Sequence, residues 1–206
     1  MIAYKFLGRD RVSPFAGVAW PPEGEWLPAT GGDRACTARV HACRIEDLPE
    51  WMDHELWRVE LDGDVRVDCG KLVADRGRLV ERVSAWDADL MAAFGEACSL
   101  RARDAALTLL PASATRDALA RGATAEQLAP AAAQVGDLDP DAARAVGYVG
   151  DAARHVLGAR AEPVTAPTHA AVSGFIAAHA AAFAEDDVAA VQRERTWQAD
   201  WLSRRL

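Results

Sequence analysis

The feature that most constrains the fold is an abrupt change of sequence pattern at Ser84. Before Ser84, short apolar segments are separated by turns rich in Gly and Pro, as in small sheets. After it, apolar residues recur at helical spacing over long stretches rich in alanine. We therefore predict an α+β protein. A small, mixed, mostly antiparallel sheet module covers residues 1–86, and an all-α helical module covers residues 87–206.

Short apolar or alternating segments indicate the strands of the first module. We predict strands at residues 2–7, 39–43, 56–61, 65–67, 71–74 and 78–83, and a short helix at residues 46–52. Asp62-Gly63 is a dipeptide typical of tight hairpin turns. It predicts that the segment 65–67 returns beside the segment 56–61.

Capping patterns indicate where the helices of the second module begin. Residues 84–87 and 124–127 resemble capping boxes. Asp139-Pro140 combines a preferred N-cap residue with proline at the first helical position. We expect four to six helices, with His179 on a buried apolar face and Trp197 and Trp201 on one side of the last helix.

The composition excludes several classes of protein. Lys and Arg total 23 against 31 Asp and Glu, and neither module has an excess of basic residues. Because nucleic acids and anionic membranes are bound through clusters of cations, we expect no binding to either. We find no signal-peptide pattern and no membrane-spanning apolar run, so we expect a cytoplasmic protein with reduced cysteines. The excess of Arg and Ala is typical of GC-rich bacterial genomes.

A cluster of thiols and imidazole marks the region where chemistry is expected. Cys36, His41 and Cys43 lie within eight residues, and Cys69 follows later. Thiolate and imidazole groups are the ligands that zinc prefers, so Cys36, His41 and Cys43 are predicted metal ligands, with Cys69, His54 or water as the fourth. On a strand, His41 and Cys43 point to the same face, which fits a metal site and equally fits plain packing in a core.

The same cluster has a catalytic interpretation. Cys36 or Cys43 beside His41 would have a lowered pKa and could act as a nucleophile. Glu55 or Glu60 could then orient the imidazole. His41, Glu55 and Glu60 are therefore the candidate catalytic residues.

A predicted loop over residues 8–34 supplies candidate binding residues. It is rich in Gly and Pro but carries Phe15, Trp20 and Trp26. A loop with three large aromatic residues usually folds over a core or a pocket. Arg78, on a later strand, is a candidate partner for an anionic group.

Parts of the first module resemble a known group of proteins. The segments that carry the resemblance are Tyr4-Lys-Phe-Leu7, Ser13-Pro-Phe15, Trp20-Pro-Pro22, Val40-His-Ala-Cys43, Asp47-Leu-Pro49 and Lys71-Leu-Val-Ala74. They are similar to an uncharacterised family of high-GC bacterial proteins with a Cys…(Gly/Val)-His-Ala-Cys motif, a domain of unknown function. The related motif usually has an aromatic residue where this chain has Val40. The resemblance covers residues 2–86, with a weaker match at 194–202, and implies no particular activity.

Three functional hypotheses follow. The leading one is a cytoplasmic binding or accessory protein, whose pocket is formed by the loop 13–26 and the His41 strand, with zinc as candidate cofactor. Its partner would be a small molecule or a protein. The second is an enzyme, an NAD-using transferase whose split sheet resembles that of ADP-ribosyltransferases, although common nucleotide motifs are absent. The third is an interaction protein that forms homo-oligomers through its helices.

Overall fold

The computed structural model describes residues 1–30, 39–68, 70–134 and 138–206. The chain divides into two compact units, one formed by Met1–Trp86 with Leu202–Leu206 and the other by Asp87–Trp201. Two antiparallel sheets belong to the first unit, and helices make up the second. The predicted α+β class is confirmed.

Seven strands occur within the described residues. They are β1 Ile2–Leu7, β2 Trp26–Pro28, β3 Val40–Ala42, β4 Glu55–Asp62, β5 Arg66–Asp68, β6 Lys71–Ala74 and β7 Arg76–Arg82. A four-stranded sheet has the order β1-β4-β7-β2, and a three-stranded sheet has the order β3-β6-β5. Every pairing is antiparallel, as the short segments and tight turns predict.

The core of the first unit follows from alternation along the strands. Side chains on a strand point to opposite faces in turn, so every second residue of β4 faces the core. Trp57, Val59 and Leu61 are buried there, together with Leu79 of β7. Both sheets contribute to this one cluster, whose buried members are Ala3, Leu7, Trp20, Val40, Ala42, Trp57, Val59, Leu61, Leu72, Ala74 and Leu79.

The predicted hairpin after Asp62-Gly63 is wrong in its pairing. β5 does not return beside β4 but pairs with β6 in the other sheet. β4 already has β1 on one side and β7 on the other, so it offers no free edge to β5. Gly63 has φ of +86°, and the next amide, that of Asp64, donates to Asp75 Oδ2 at 2.9 Å. The turn therefore leads β5 away from β4 and toward β6.

The junction between sheet and helix also differs from the prediction. The first α-helix begins at Ala88, and its N-cap is Asp87, whose Oδ1 accepts from the Leu90 amide at 2.8 Å. The predicted box placed the cap at Ser84. Trp86 explains the shift, because its ring packs at 5.2 Å from Phe6 and its Nε1 donates to the Asp53 carbonyl at 2.8 Å. These contacts hold residues 84–86 outside the helix.

Six α-helices lie within the described residues, at the upper end of the expected number. They are α1 Ala88–Leu109, α2 Ala114–Arg121, α3 Ala125–Ala133, α4 Pro140–Ala161, α5 Ala166–Glu185 and α6 Ala189–Ser203. Asp139 caps α4 as predicted, since its Oδ1 accepts from the amides of Asp141 and Ala142. The predicted helix at 46–52 is a 3-10 helix, Ile45–Glu50. None of the described helices is long and apolar enough to cross a membrane.

Candidate functional site

A cleft in the first unit is lined by residues of β1, β3, β6 and two loops. It contains about 340 Å³ that no protein atom fills, part of it open to solvent. One backbone bridge positions its walls: the Tyr4 amide donates to the Cys43 carbonyl at 2.9 Å, and the Cys43 amide donates to the Tyr4 carbonyl at 2.8 Å. This pair of hydrogen bonds places the end of β3, and with it His41, beside β1.

His41 lines the cleft, although only 8% of the residue is exposed. Burial is the main reason that its pKa falls from the usual 6.5 to about 3, and the positive charges of Lys5 and Lys71 lower it further. The imidazole is therefore neutral near pH 7. In this form one ring nitrogen donates a hydrogen bond and the other accepts one.

Cys43 lines the same cleft and is buried with a free thiol. Burial raises the pKa of this thiol to about 12; Lys5 opposes the shift, while Asp47 and Glu46 add to it. This is opposite to the lowered pKa expected for a thiol beside histidine. Because the thiolate is the reactive form of cysteine, Cys43 is not an activated nucleophile near neutral pH.

Phe15 stands at the apex of a compact loop beside the cleft, where the aromatic pattern predicted a binding residue. The Ser13 amide donates to the Val18 carbonyl at 2.8 Å, and Gly17, with φ of +63°, donates its amide to the Ser13 carbonyl at 2.9 Å. These bonds present Phe15 with 75% of its surface exposed. Its ring lies edge-on to Trp51 at 6.1 Å between centroids. The cleft thus has an aromatic rim.

Trp51 and Lys71 form another part of the cleft wall, in which a cation lies against an aromatic ring. The ammonium nitrogen of Lys71 lies 4.5 Å from the centre of the Trp51 ring, within cation–π range. Trp51 Nε1 is buried and has no hydrogen-bond partner among the described residues. Trp51, Lys5 and Lys71 were not among the predicted site residues. A signal was present, because the chain contains only these two lysines.

Trp20 and Trp26, both predicted binding residues, do not line this cleft. Trp20 belongs to the core, and its Nε1 donates to Ser13 Oγ at 3.0 Å. Trp26 lies on β2 with the guanidinium groups of Arg76 and Arg78 at 4.6 and 4.7 Å from its ring centre. These contacts stabilise the first unit. Trp20 instead lines a second pocket, to which His41 also contributes.

The remaining predicted residues have protein partners of their own. Arg78 donates to Glu60 Oε2 from Nε at 2.8 Å and from Nη2 at 2.6 Å, across the register of β4 and β7. Glu55 accepts from Trp57 Nε1 at 2.9 Å. Among the described residues that line the cleft, neither glutamate occurs. These contacts therefore do not support the hypothesis that Glu55 or Glu60 orients the imidazole of His41.

The zinc hypothesis rests partly on residues outside the described ranges, since Cys36 and Cys69 both lie there. Within the described ranges, no group of three His, Cys, Asp or Glu residues could hold a metal ion. His41 and Cys43 remain as two predicted ligands, and a neutral imidazole suits zinc. The charges of Lys5 and Lys71, however, disfavour a divalent cation for the same reason that they disfavour a proton on His41. Zinc binding stays a prediction.

Comparisons with family models, with curated proteins and with solved structures find no match to this chain. The resemblance to the uncharacterised bacterial family therefore stays a prediction. Function has to be argued from the geometry of the cleft.

Proposed function

We propose that the first unit is a cytoplasmic binding module that holds a small molecule in the cleft beside His41. The observation that carries this proposal is that Trp51, a residue lining the cleft, has a buried Nε1 without a described hydrogen-bond partner. A buried donor without an acceptor costs about 1–3 kcal/mol. A ligand that supplies the acceptor removes this cost, so its binding is favoured.

The cleft supports a ligand of about one ring with short substituents. The cleft is small, because part of the roughly 340 Å³ left unfilled by protein atoms is open solvent. Phe15 and Tyr4 offer aromatic surface to such a ring, and neutral His41 offers one donor and one acceptor. NAD is several times larger than one ring, so the transferase hypothesis is less well supported.

The chemistry of the wall favours binding over catalysis. The Cys43 thiol is protonated at neutral pH, and Glu55 and Glu60 are occupied by Trp57 and Arg78. The predicted nucleophile and its orienting carboxylate are therefore not assembled among the described residues. The free, buried thiols of Cys43 and Cys98 are compatible with the cytoplasmic location included in this proposal.

Nuclear magnetic resonance tests this proposal directly. Benzamide, benzoate and benzylamine are titrated separately into the full chain, and we expect at least one to shift the Trp51 Nε1–H and His41 resonances saturably at millimolar concentration. Trp51→Phe keeps an aromatic ring but removes the donor, so the affinity of that compound should fall about 3- to 10-fold. Trp197→Phe, in the helical unit, is the matched control and should leave it unchanged. If none of the three compounds shifts the cleft resonances, the proposal fails.

A further inference from the structure

The distribution of lysine in this chain is uneven. Of the 23 basic residues, two are lysines and the other 21 are arginines. Both lysines, Lys5 on β1 and Lys71 on β6, line the cleft that contains His41. Lysine is thus confined to one small surface, while arginine serves everywhere else.

The two lysines share the wall of the cleft with His41 and Trp51. Lys5 is only 8% exposed, and Lys71 is half-buried against the Trp51 ring. No Asp or Glu occurs among the described residues that line the cleft. The described lining of the cleft therefore carries two cations and no carboxylate.

We infer that the ligand of this cleft is a small organic anion, whose oxyanion accepts from the Trp51 indole N–H and the lysine ammonium groups while its ring lies against Phe15. This inference rests on the proposed binding function. Carboxylate and phosphate groups share the chemistry required, because both offer several acceptor oxygens to N–H donors. The imidazole of His41, which lines the same cleft, supplies an additional N–H donor.

The choice of lysine over arginine fits this geometry. Lysine ends in a compact ammonium group on a long apolar stem, whereas the guanidinium of arginine is a wide fork with five donors. Inside a narrow cleft, the apolar stem can pack along the wall while the charge stays at the ligand. Lys71 places its ammonium over the face of the Trp51 ring, 4.5 Å from the ring centre.

Matched benzene derivatives test the inference on the full chain. Benzoate should bind at least 10-fold more tightly than the neutral benzamide, and benzylamine more weakly than either. The affinity for benzoate should fall as salt concentration rises, because screening weakens attraction between charges. Phenyl phosphate, compared with benzoate, shows which of the two oxyanions is preferred.

Variants of Lys71 separate charge from shape. Lys71→Met should remove the preference for benzoate over benzamide, and Lys71→Arg should keep most of it. Arg66→Met, an exposed cation on β5, is the control for overall charge and should change nothing. Dispersed spectra confirm that each variant is folded.

Two outcomes would overturn the inference in different ways. Equal affinities for benzoate and benzamide would exclude an anion site while the proposed binding function stands. Failure of every compound to shift Trp51 or His41 would remove both. A benzoate preference that survives Lys71→Met unchanged would also contradict the inference, because the charge would then have no role.

Discussion

Buried polar groups occur in both units of this protein, but they have different surroundings. In the sheet unit, His41 and Trp51 line a cleft, and the indole N–H has no described partner. In the helical unit, Gln198 is enclosed by protein: its Nε2 donates to the Gly174 carbonyl at 2.9 Å, and its Oε1 accepts from Arg195 Nη1 at 2.9 Å. Both side chains have buried polar groups, but those of Gln198 are hydrogen-bonded within the protein, whereas the Trp51 N–H has no described partner.

This difference separates polar groups that bind a ligand from polar groups that hold a fold together. A buried polar group is costly unless it is hydrogen-bonded, so each one must find a partner in the protein, in water or in a ligand. In the helical unit, Glu194 is 2% exposed and accepts on Oε2 from Arg101 Nε and Nη2 at 2.9 and 2.6 Å. Its other oxygen, Oε1, has no described partner, which makes this carboxylate depend strongly on Arg101.

The largest expected effect comes from breaking the Arg101–Glu194 pair. Arg101→Met leaves a buried carboxylate without its main cation, which should destabilise the helical unit by about 3 kcal/mol. Urea denaturation monitored by circular dichroism measures this loss. The double variant Arg101→Met with Glu194→Leu should recover most of the stability, because no buried charge then remains.

An exposed pair provides the control for Arg101. Arg154 and Asp151 form an ion pair on the surface of α4 with more than half of each side chain exposed. Arg154→Met should therefore cost under about 1 kcal/mol. Equal losses for Arg101→Met and Arg154→Met would show that Glu194 is not the sensitive group described above.

His41→Leu should have a smaller effect that appears only on acidification. The pKa of His41 is about 3 in the folded protein and near 6.5 in the unfolded chain, so the unfolded chain takes up the proton first as pH falls. Stability contributed by the neutral imidazole is thus complete above pH 6.5 and is lost toward pH 3. Between pH 7 and pH 5 this amounts to about 2 kcal/mol.

The measurement compares denaturation curves of the two proteins at pH 7 and pH 5. His41→Leu conserves volume and should change stability by under about 1.5 kcal/mol at pH 7. Its loss on going to pH 5 should be smaller than that of the parent by about 2 kcal/mol. The lowered pKa of His155 affects both proteins equally and cancels in the difference. Equal losses of stability in the two proteins on going to pH 5 would contradict the lowered pKa of the buried His41.

Glycine substitutions sharpen the comparison of packing. A methyl group on Gly77 of β7 would lie 2.8 Å from Val40 Cγ1 and 3.2 Å from Leu61 Cδ2. Gly77→Ala should cost about 1–3 kcal/mol through overpacking of the sheet core. Gly147 of α4 has no described neighbour within 4 Å of such a methyl group, so Gly147→Ala should stabilise the helix by about 0.5–1 kcal/mol. Thermal denaturation should show a lower melting temperature for Gly77→Ala and a higher one for Gly147→Ala. Shifts in the same direction would contradict the difference in packing around the two glycines.

The sequence predicted local structure well wherever one segment determines its own conformation. Alternation defined β4, and the pair Asp139-Pro140 defined the start of α4, because both signals act within a few residues. The start of α1 was misplaced, since a tertiary contact of Trp86 overrides a capping pattern at Ser84. For the site, the sequence indicated His41 and Phe15 but gave no reason to join them to Trp51.

By itself, then, the sequence determined the α+β class, the change of pattern near residue 84 and most strand and helix positions, because these follow from periodicity and capping. Only the tertiary structure decided which strands pair, since pairing depends on edges that distant segments occupy: β4 lies between β1 and β7 and excludes β5. Tertiary structure also decided the cleft. Lys5 and Lys71 are 66 residues apart in the chain, and they meet at His41 because backbone hydrogen bonds join β1 to the end of β3 and β3 pairs with β6.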